Sequence, residues 1–249
     1  MIKIVIPSHK RADSVLTLKL VPSAILCVAE SQKDEYRRCN PNTEIVTHPD
    51  SVIGLVPKRN WMVGHFGELF MLDDDLTTFK KLYVDKGEGQ IVKDKAFILE
   101  KIEFLYQMAA MLGVHLFGFA NKCTPIQYDG FKWFSLSQPV TGRAYGVIGN
   151  ENTKWDENFT LKEDFMISCA IKYRERKILT DNRFCFEQKA TMVNGGGLAA
   201  IRSQQSEREN VMRLRQYYGE CVQMKGSGTN GKNRVNDKSM YNIKVVFPF

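Results

Sequence analysis

The sequence predicts an α/β fold, a single domain with a mostly parallel sheet flanked by helices and a basic C-terminal extension. Three observations predict it. Short apolar runs alternate with helical segments along the first half of the chain, the signature of βαβ units. The apolar run Leu69–Leu72 meets three consecutive carboxylates, Asp73-Asp74-Asp75. A buried parallel strand that ends this way sets them at the carboxyl edge of the sheet, where open α/β folds bind ligands. The chain has 249 residues, 43% of them hydrophobic, enough for a core of one domain.

Taken in order, Lys3 to Ile6 is a β-branched strand ended by Pro7, followed by the polar, basic loop Ser8-His9-Lys10-Arg11. Asp13 or Ser14 is placed to cap a short helix. Ala24 to Ala29 forms a second strand, ending at Glu30, with a charged helix over 32–38 after it. A third strand covers 44–47. Residues 54–66 read as helix, with Pro57 tolerated in its first turn and Lys58-Arg59-Asn60 near its start. The fourth strand is Leu69–Leu72. If extended geometry persists past it, Asp73 and Asp75 face one side and Asp74 the other.

Residues 77–93 read as a variable region with a turn at Gly87-Glu88-Gly89. Asp94 to Leu112 is the clearest helix, stopped by Gly113. Another strand spans 114–120, and its His115 reads as a packed side chain rather than a metal ligand. Residues 121–150 alternate aromatics with glycines and read as short strands and turns. Their aromatics either fill a small sheet or stack on a sugar or base. Thr160 and Glu163 have capping-box spacing at the start of a helix. Asp164, in its first turn, either complements the helix dipole or acts as a general base. The basic stretch 172–177 reads as that helix's solvated face. Asn194 to Gly197 is a turn. Ser206 to Tyr218 is a helix with a second capping-box spacing, Ser206 and Glu209. Residues 225–234 form a cationic, Gly-rich loop that lacks the Walker A pattern.

The net charge of +7 and a pI near 9.0 permit a polyanionic partner. No apolar run approaches the roughly 20 residues of a membrane span, and the N-terminus lacks signal-peptide architecture. The six cysteines (27, 39, 123, 169, 185, 221) contain no CxxC pair. They read as reduced thiols of a cytoplasmic protein, with no zinc site. The aspartate cluster has two readings, a solvated acidic turn or a hard-oxygen site for Mg²⁺ or Mn²⁺ completed by substrate phosphates.

The order of these features resembles the GT-A glycosyltransferases. A first strand ends in Pro7-Ser8-His9-Lys10-Arg11, a helix carries Lys58-Arg59-Asn60, a strand ends in Asp73-Asp74-Asp75, and Glu163-Asp164 opens a later helix. Within that Rossmann-like class the chain looks most like the phage TET-associated glycosyltransferases, which place sugars on 5-hydroxymethylcytosine in DNA. The resemblance implies a UDP-sugar donor, UDP-glucose by default, and Mn²⁺ or Mg²⁺. It implies donor contacts from Pro7, Ser8, Lys10, Arg11, Glu30, Arg59, Asp73 and Asp74, metal ligation by Asp73 and Asp75, and Asp164 as the base of an inverting reaction. It divides residues 1–249 into a nucleotide-sugar half (1–112), an acceptor half (113–200) and a C-terminal helix with basic loop (201–249). One departure is visible: many GT-A enzymes give a late histidine to the metal, and none follows His115 here. Membrane contact and an obligate protein partner are not expected. Other readings are a saccharide or lipid-linked acceptor, a nucleotidyltransferase, or a nucleic-acid-binding module with a degenerate site.

Overall fold

The first four strands form where their apolar runs predict. They are β1 (Lys3–Pro7), β2 (Ile25–Ala29), β3 (Ile45–His48) and β4 (Glu68–Leu72). A computed structural model describes residues 1–85, 87–140, 142–188, 202–224 and 243–247. Helices α1 (Lys33–Cys39) and α2 (Leu55–Phe66) connect the strands as crossovers. β1 lies between β2 and β4, and β3 lies beside β2, all parallel. The chain continues through β5 (Leu76–Lys81), α3 (Lys95–Met111), β6 (Leu116–Phe119), β7 (Phe134–Ser135) and β8 (Ala144–Ile148). It ends with α4 (Glu163–Glu175), β9 (Leu179–Asp181), β10 (Phe184–Gln188), α5 (Gln204–Tyr218), β11 (Val222–Met224) and β12 (Ile243–Val245).

Eight strands form the central sheet in the order β3-β2-β1-β4-β8-β6-β9-β7. β8 runs antiparallel to both neighbours, and β6 and β9 are parallel. The carboxyl ends of β4, β6 and β9 therefore share one edge with the start of β8. This is the architecture expected from the GT-A resemblance.

Alternation along the strands builds two apolar layers. Ile4, Ile6, Phe70 and Leu72 face one side, where Ile98, Ile102, Leu105 and Ala109 of α3 cover them. Val5, Leu69 and Met71 face the other, under Met62 of α2 and Met166, Ile167 and Ile171 of α4. Asp94 caps α3 by accepting the amides of Ala96 and Phe97, and Gly113 ends it with a φ of +59°. No helix among the described residues is long and apolar enough to cross a membrane.

Several local expectations are corrected. Residues 77–93 contain β5, which pairs antiparallel with β10. In place of a helix capped by Asp13 or Ser14 there is a 3-10 turn at Leu16–Lys19, with no side-chain cap. Thr160 does not cap α4, because Asn210 of α5 holds both its amide and its hydroxyl. Lys162 starts α4 instead, at φ 60° and with no side-chain cap. Lys172 is buried rather than solvated; its ammonium donates to the carbonyls of Leu136 and Arg176. The box of α5 is Ser203 with Ser206, not Ser206 with Glu209. His115 is only partly buried and bonds Glu175 at 2.8 Å. A disulfide joins Cys123 and Cys185, against the expectation of six reduced thiols. Their separation of 62 residues hides the pair, and the fold brings the Cα atoms to 5.5 Å. The Gly-rich turn 194–197 and the cationic loop 225–234 lie outside the described residues.

Candidate active site

The three aspartates leave β4 with their side chains sorted by the strand's own alternation. Leu72 points to the α3 layer, so Asp73 points to the layer of α2 and α4 and Asp74 back toward α1. Their backbone is pinned from two sides. Thr17, fully buried, donates its hydroxyl to the Asp73 carbonyl at 2.5 Å and accepts the Leu76 amide at 2.9 Å. The Asp73 amide donates to the carbonyl of Arg143, just before β8, at 2.9 Å.

Asp74 is a neutralised, structural carboxylate. Ser8 donates to one oxygen at 2.6 Å and Arg11 to the other at 2.7 Å. Ser8 has one hydroxyl proton and spends it there, so the Tyr36 hydroxyl, 2.7 Å away, donates to Ser8 and also accepts the Arg11 amide. Tyr36 stands alone in the charged run Lys33-Asp34-Glu35-Tyr36-Arg37-Arg38, and an isolated aromatic there is the signal for its role. Lys58, also buried, donates to the Ser8 carbonyl at 2.9 Å.

Asp73 faces Arg59, the centre of the second cluster. The Arg59 guanidinium is 1% exposed. It stands 3.7 Å from Asp73 and 3.3 Å from Glu163, donates to the Gly142 carbonyl at 3.3 Å, and donates to the Tyr145 hydroxyl. Burial works against its charge, but Tyr145, Glu163, Asp73 and Asp164 outweigh burial and hold it protonated. Burial raises Glu163, against the pull of Arg59. Burial also pushes Asp73 up to about 7; Arg59 opposes the shift, and Asp75, Glu163 and Asp74 add to it. The spacing of Glu163 had suggested a helix cap, and the aromatics of 121–150, Tyr145 among them, either the filling of a small sheet or a stacking surface. Both grip Arg59, and Tyr145 is fully buried.

Asp164 approaches the same cluster through one peptide. Its Oδ2 accepts the Gly142 amide at 2.9 Å and its Oδ1 accepts the Phe165 amide at 2.8 Å. The carboxylate is thus oriented by backbone donors while remaining partly exposed.

The remaining first-loop residues vary in exposure. Pro7 is buried at the end of β1. Lys10 is exposed in the left-handed region at φ 55°, a conformation that costs a non-glycine residue roughly 1–2 kcal/mol. Glu30 is exposed directly after β2.

The donor set suits one class of metal. Among the described residues no cluster of three His, Cys, Asp or Glu side chains is arranged to hold an ion. Asp75 is half-buried, and burial and Asp74 raise it, yet no cation stands within ion-pair distance of it among the described residues. Asp75, without an ion-pair partner among the described residues, beside Asp73, whose one cation stands 3.7 Å away, fits a hard cation that takes its other ligands from phosphates and water.

A mostly parallel α/β sheet with aspartates clustered on its carboxyl edge is the arrangement expected of one class of enzyme, the GT-A glycosyltransferases. The family is narrower: the model described as TET-associated glycosyltransferase matches residues 2–197, and the chain belongs to that family. A crystal structure of TarS (residues 1–349) from S. aureus is similar at 10% identity with a TM-score of 0.47, covering 86% of this chain. The match covers 65% of that chain, less than two thirds of its length. No curated protein matches the sequence.

Proposed function

We propose that the protein moves a sugar from a UDP-sugar onto the hydroxymethyl group of 5-hydroxymethylcytosine in phage DNA, in a host cytoplasm, with inversion at the anomeric carbon. The observation that supports this reading is the presence at one sheet edge of two partly buried carboxylates, Asp73 and Asp75, together with an oriented, partly exposed carboxylate, Asp164.

Asp73 and Asp75 would hold Mn²⁺ or Mg²⁺, which when bound stabilises the charge developing on the departing diphosphate. Pro7, Ser8, Lys10, Arg11, Glu30 and Asp74 shape the loop against the nucleotide. Arg11 answers Asp74 first, and its charge adds to the field at the diphosphate. Arg59 is too deeply buried to clamp the donor and acts by fixing Asp73 and Glu163. Asp164 takes the proton from the acceptor hydroxyl as that oxygen attacks the anomeric carbon and the bond to the diphosphate breaks. Its two backbone donors hold one orientation, so the proton acceptor is preset.

The test is nucleotide release from a panel of UDP-sugars with Mn²⁺, using no acceptor, plain DNA or 5-hydroxymethylcytosine DNA. We expect release that requires the modified DNA and falls on the order of 10²-fold or more in Asp75→Ala. Asp164→Asn should abolish transfer while leaving Mn²⁺-dependent donor binding, read by calorimetry, in place. Release independent of DNA moves the acceptor to a saccharide. Silence with every donor, beside retained DNA binding, overturns the enzyme reading for this substrate class.

A further inference from the structure

Phe131 is a large apolar side chain left wholly in solvent. It does not hang on a loose segment. It occupies a turn closed by the Lys132 amide donating to the Asp129 carbonyl at 2.9 Å. The Asp129 carboxylate accepts the Phe131 amide at 3.0 Å and pairs with Lys132 at 3.3 Å. Asn182 anchors the turn's exit, donating its amide to the Trp133 carbonyl at 2.8 Å and its side chain to the Lys132 carbonyl at 3.1 Å. Trp133, half exposed, has the Arg183 guanidinium 5.7 Å from its ring centre, and Asp181 holds that guanidinium through two hydrogen bonds.

An exposed phenylalanine on a braced turn is a surface built to meet something apolar and flat. Its setting leans cationic: Lys122 is exposed on the same loop, Lys132 is exposed but offset by Asp129, and the chain carries +7. Its position is on the reactive edge. The turn precedes β7 at the carboxyl end of β9, and β9 stands three strand positions from β4, roughly 15 Å from Asp73. Two neighbouring exposed aromatics with a lysine on the same loop suit a stacked polyanion, in which bases offer flat apolar faces between charged phosphates.

We propose that Phe131 is the wedge that opens the acceptor duplex, filling the gap in the base stack while the modified cytosine turns out toward Asp164. The inference rests on the DNA reading above. Turning a base out of a duplex costs about a few kcal/mol of unstacking, which an inserted side chain offsets. Trp133 and its fixed Arg183 form the rigid floor beside the wedge.

The test compares transfer into a short duplex holding one 5-hydroxymethylcytosine with transfer into the same strand alone. Phe131→Ala and Phe131→Leu are made in the full chain; neither removes a buried contact. For Phe131→Ala the ratio of duplex to single-strand transfer should fall roughly tenfold or more, and Phe131→Leu should restore most of it. A 2-aminopurine beside the target should brighten on binding the parent protein and not the alanine variant. An unchanged ratio, or equal loss on both substrates, overturns the wedge. So does Phe131-dependent self-association in sedimentation, or Phe131-dependent binding to anionic vesicles, without a change in the ratio. No transfer by the parent chain to either DNA overturns the DNA reading itself and the wedge with it.

Discussion

Arg59 ties Asp73, just past β4, to Glu163 of α4, and its removal should be felt first in folding. Arg59→Met leaves Glu163 buried without its cation and Asp73 without its partner. Breaking a buried pair by deleting one member costs about 3–5 kcal/mol, so urea unfolding should show a loss of that size. A loss below about 1 kcal/mol would show that the cluster is not a stability element. Glu175 supplies the pH dependence. Burial works to raise its carboxyl, but hydrogen bonds from Asn150, His115 and Asn152 outweigh burial and hold it below its ordinary 4.5. A depressed carboxylate stabilises the fold above its unfolded value, and that stabilisation fades as pH falls through the folded one. Glu175→Gln should therefore lower Tm at pH 7, and its gap to the parent should close below about pH 4.5. A gap that widens in acid would contradict this assignment.

β8 shows why an element can hinge on one missing atom. It lies between β4 and β6, with Gly146 opposite both Phe70 and Phe117. A Cβ at Gly146 would fall 2.1 Å from the Phe117 ring, which is fully buried. Gly146→Ala should cost about 1–3 kcal/mol through overpacking, measurable as a drop in Tm; a neutral outcome would mean the ring can turn away. The elements legible in the sequence were those governed by local chemistry. The apolar runs of β1 to β4, Pro7, the helix beginning near Asp94 and Gly113 each announce their structure within a few residues. Those missed depend on distant partners. Leu76-Thr77-Thr78-Phe79-Lys80-Lys81 becomes a strand because β10, more than 100 residues later, pairs with it. Cys123 and Cys185, 62 residues apart, are brought together by the fold, and Asn210 of α5 takes up the amide and hydroxyl of Thr160. The site divides the same way. Asp73, Asp75 and Asp164 were readable as motifs, whereas Tyr36, Thr17, Tyr145 and Gly142 enter it only through the fold.

For the molecule as a whole, charge makes the broadest prediction. A chain at +7 that binds DNA through phosphate contacts releases counterions, so affinity should fall linearly on a log–log plot against salt. Fluorescence anisotropy across a salt series measures the slope. A slope near zero would remove electrostatics as the source of DNA affinity and weaken the nucleic-acid reading.

The place of β8 also bears on how the protein is made. Leu72 at the end of β4 pairs with Ala144, so half of the central sheet waits for chain that has not yet left the ribosome. Until residue 148 emerges, β4 offers an open row of amides and carbonyls, the kind of edge that recruits a neighbouring nascent chain. Folding this protein is thus a race between elongation and mispairing. Slower translation between β4 and β8 should lower the soluble yield even though the mature sequence is unchanged.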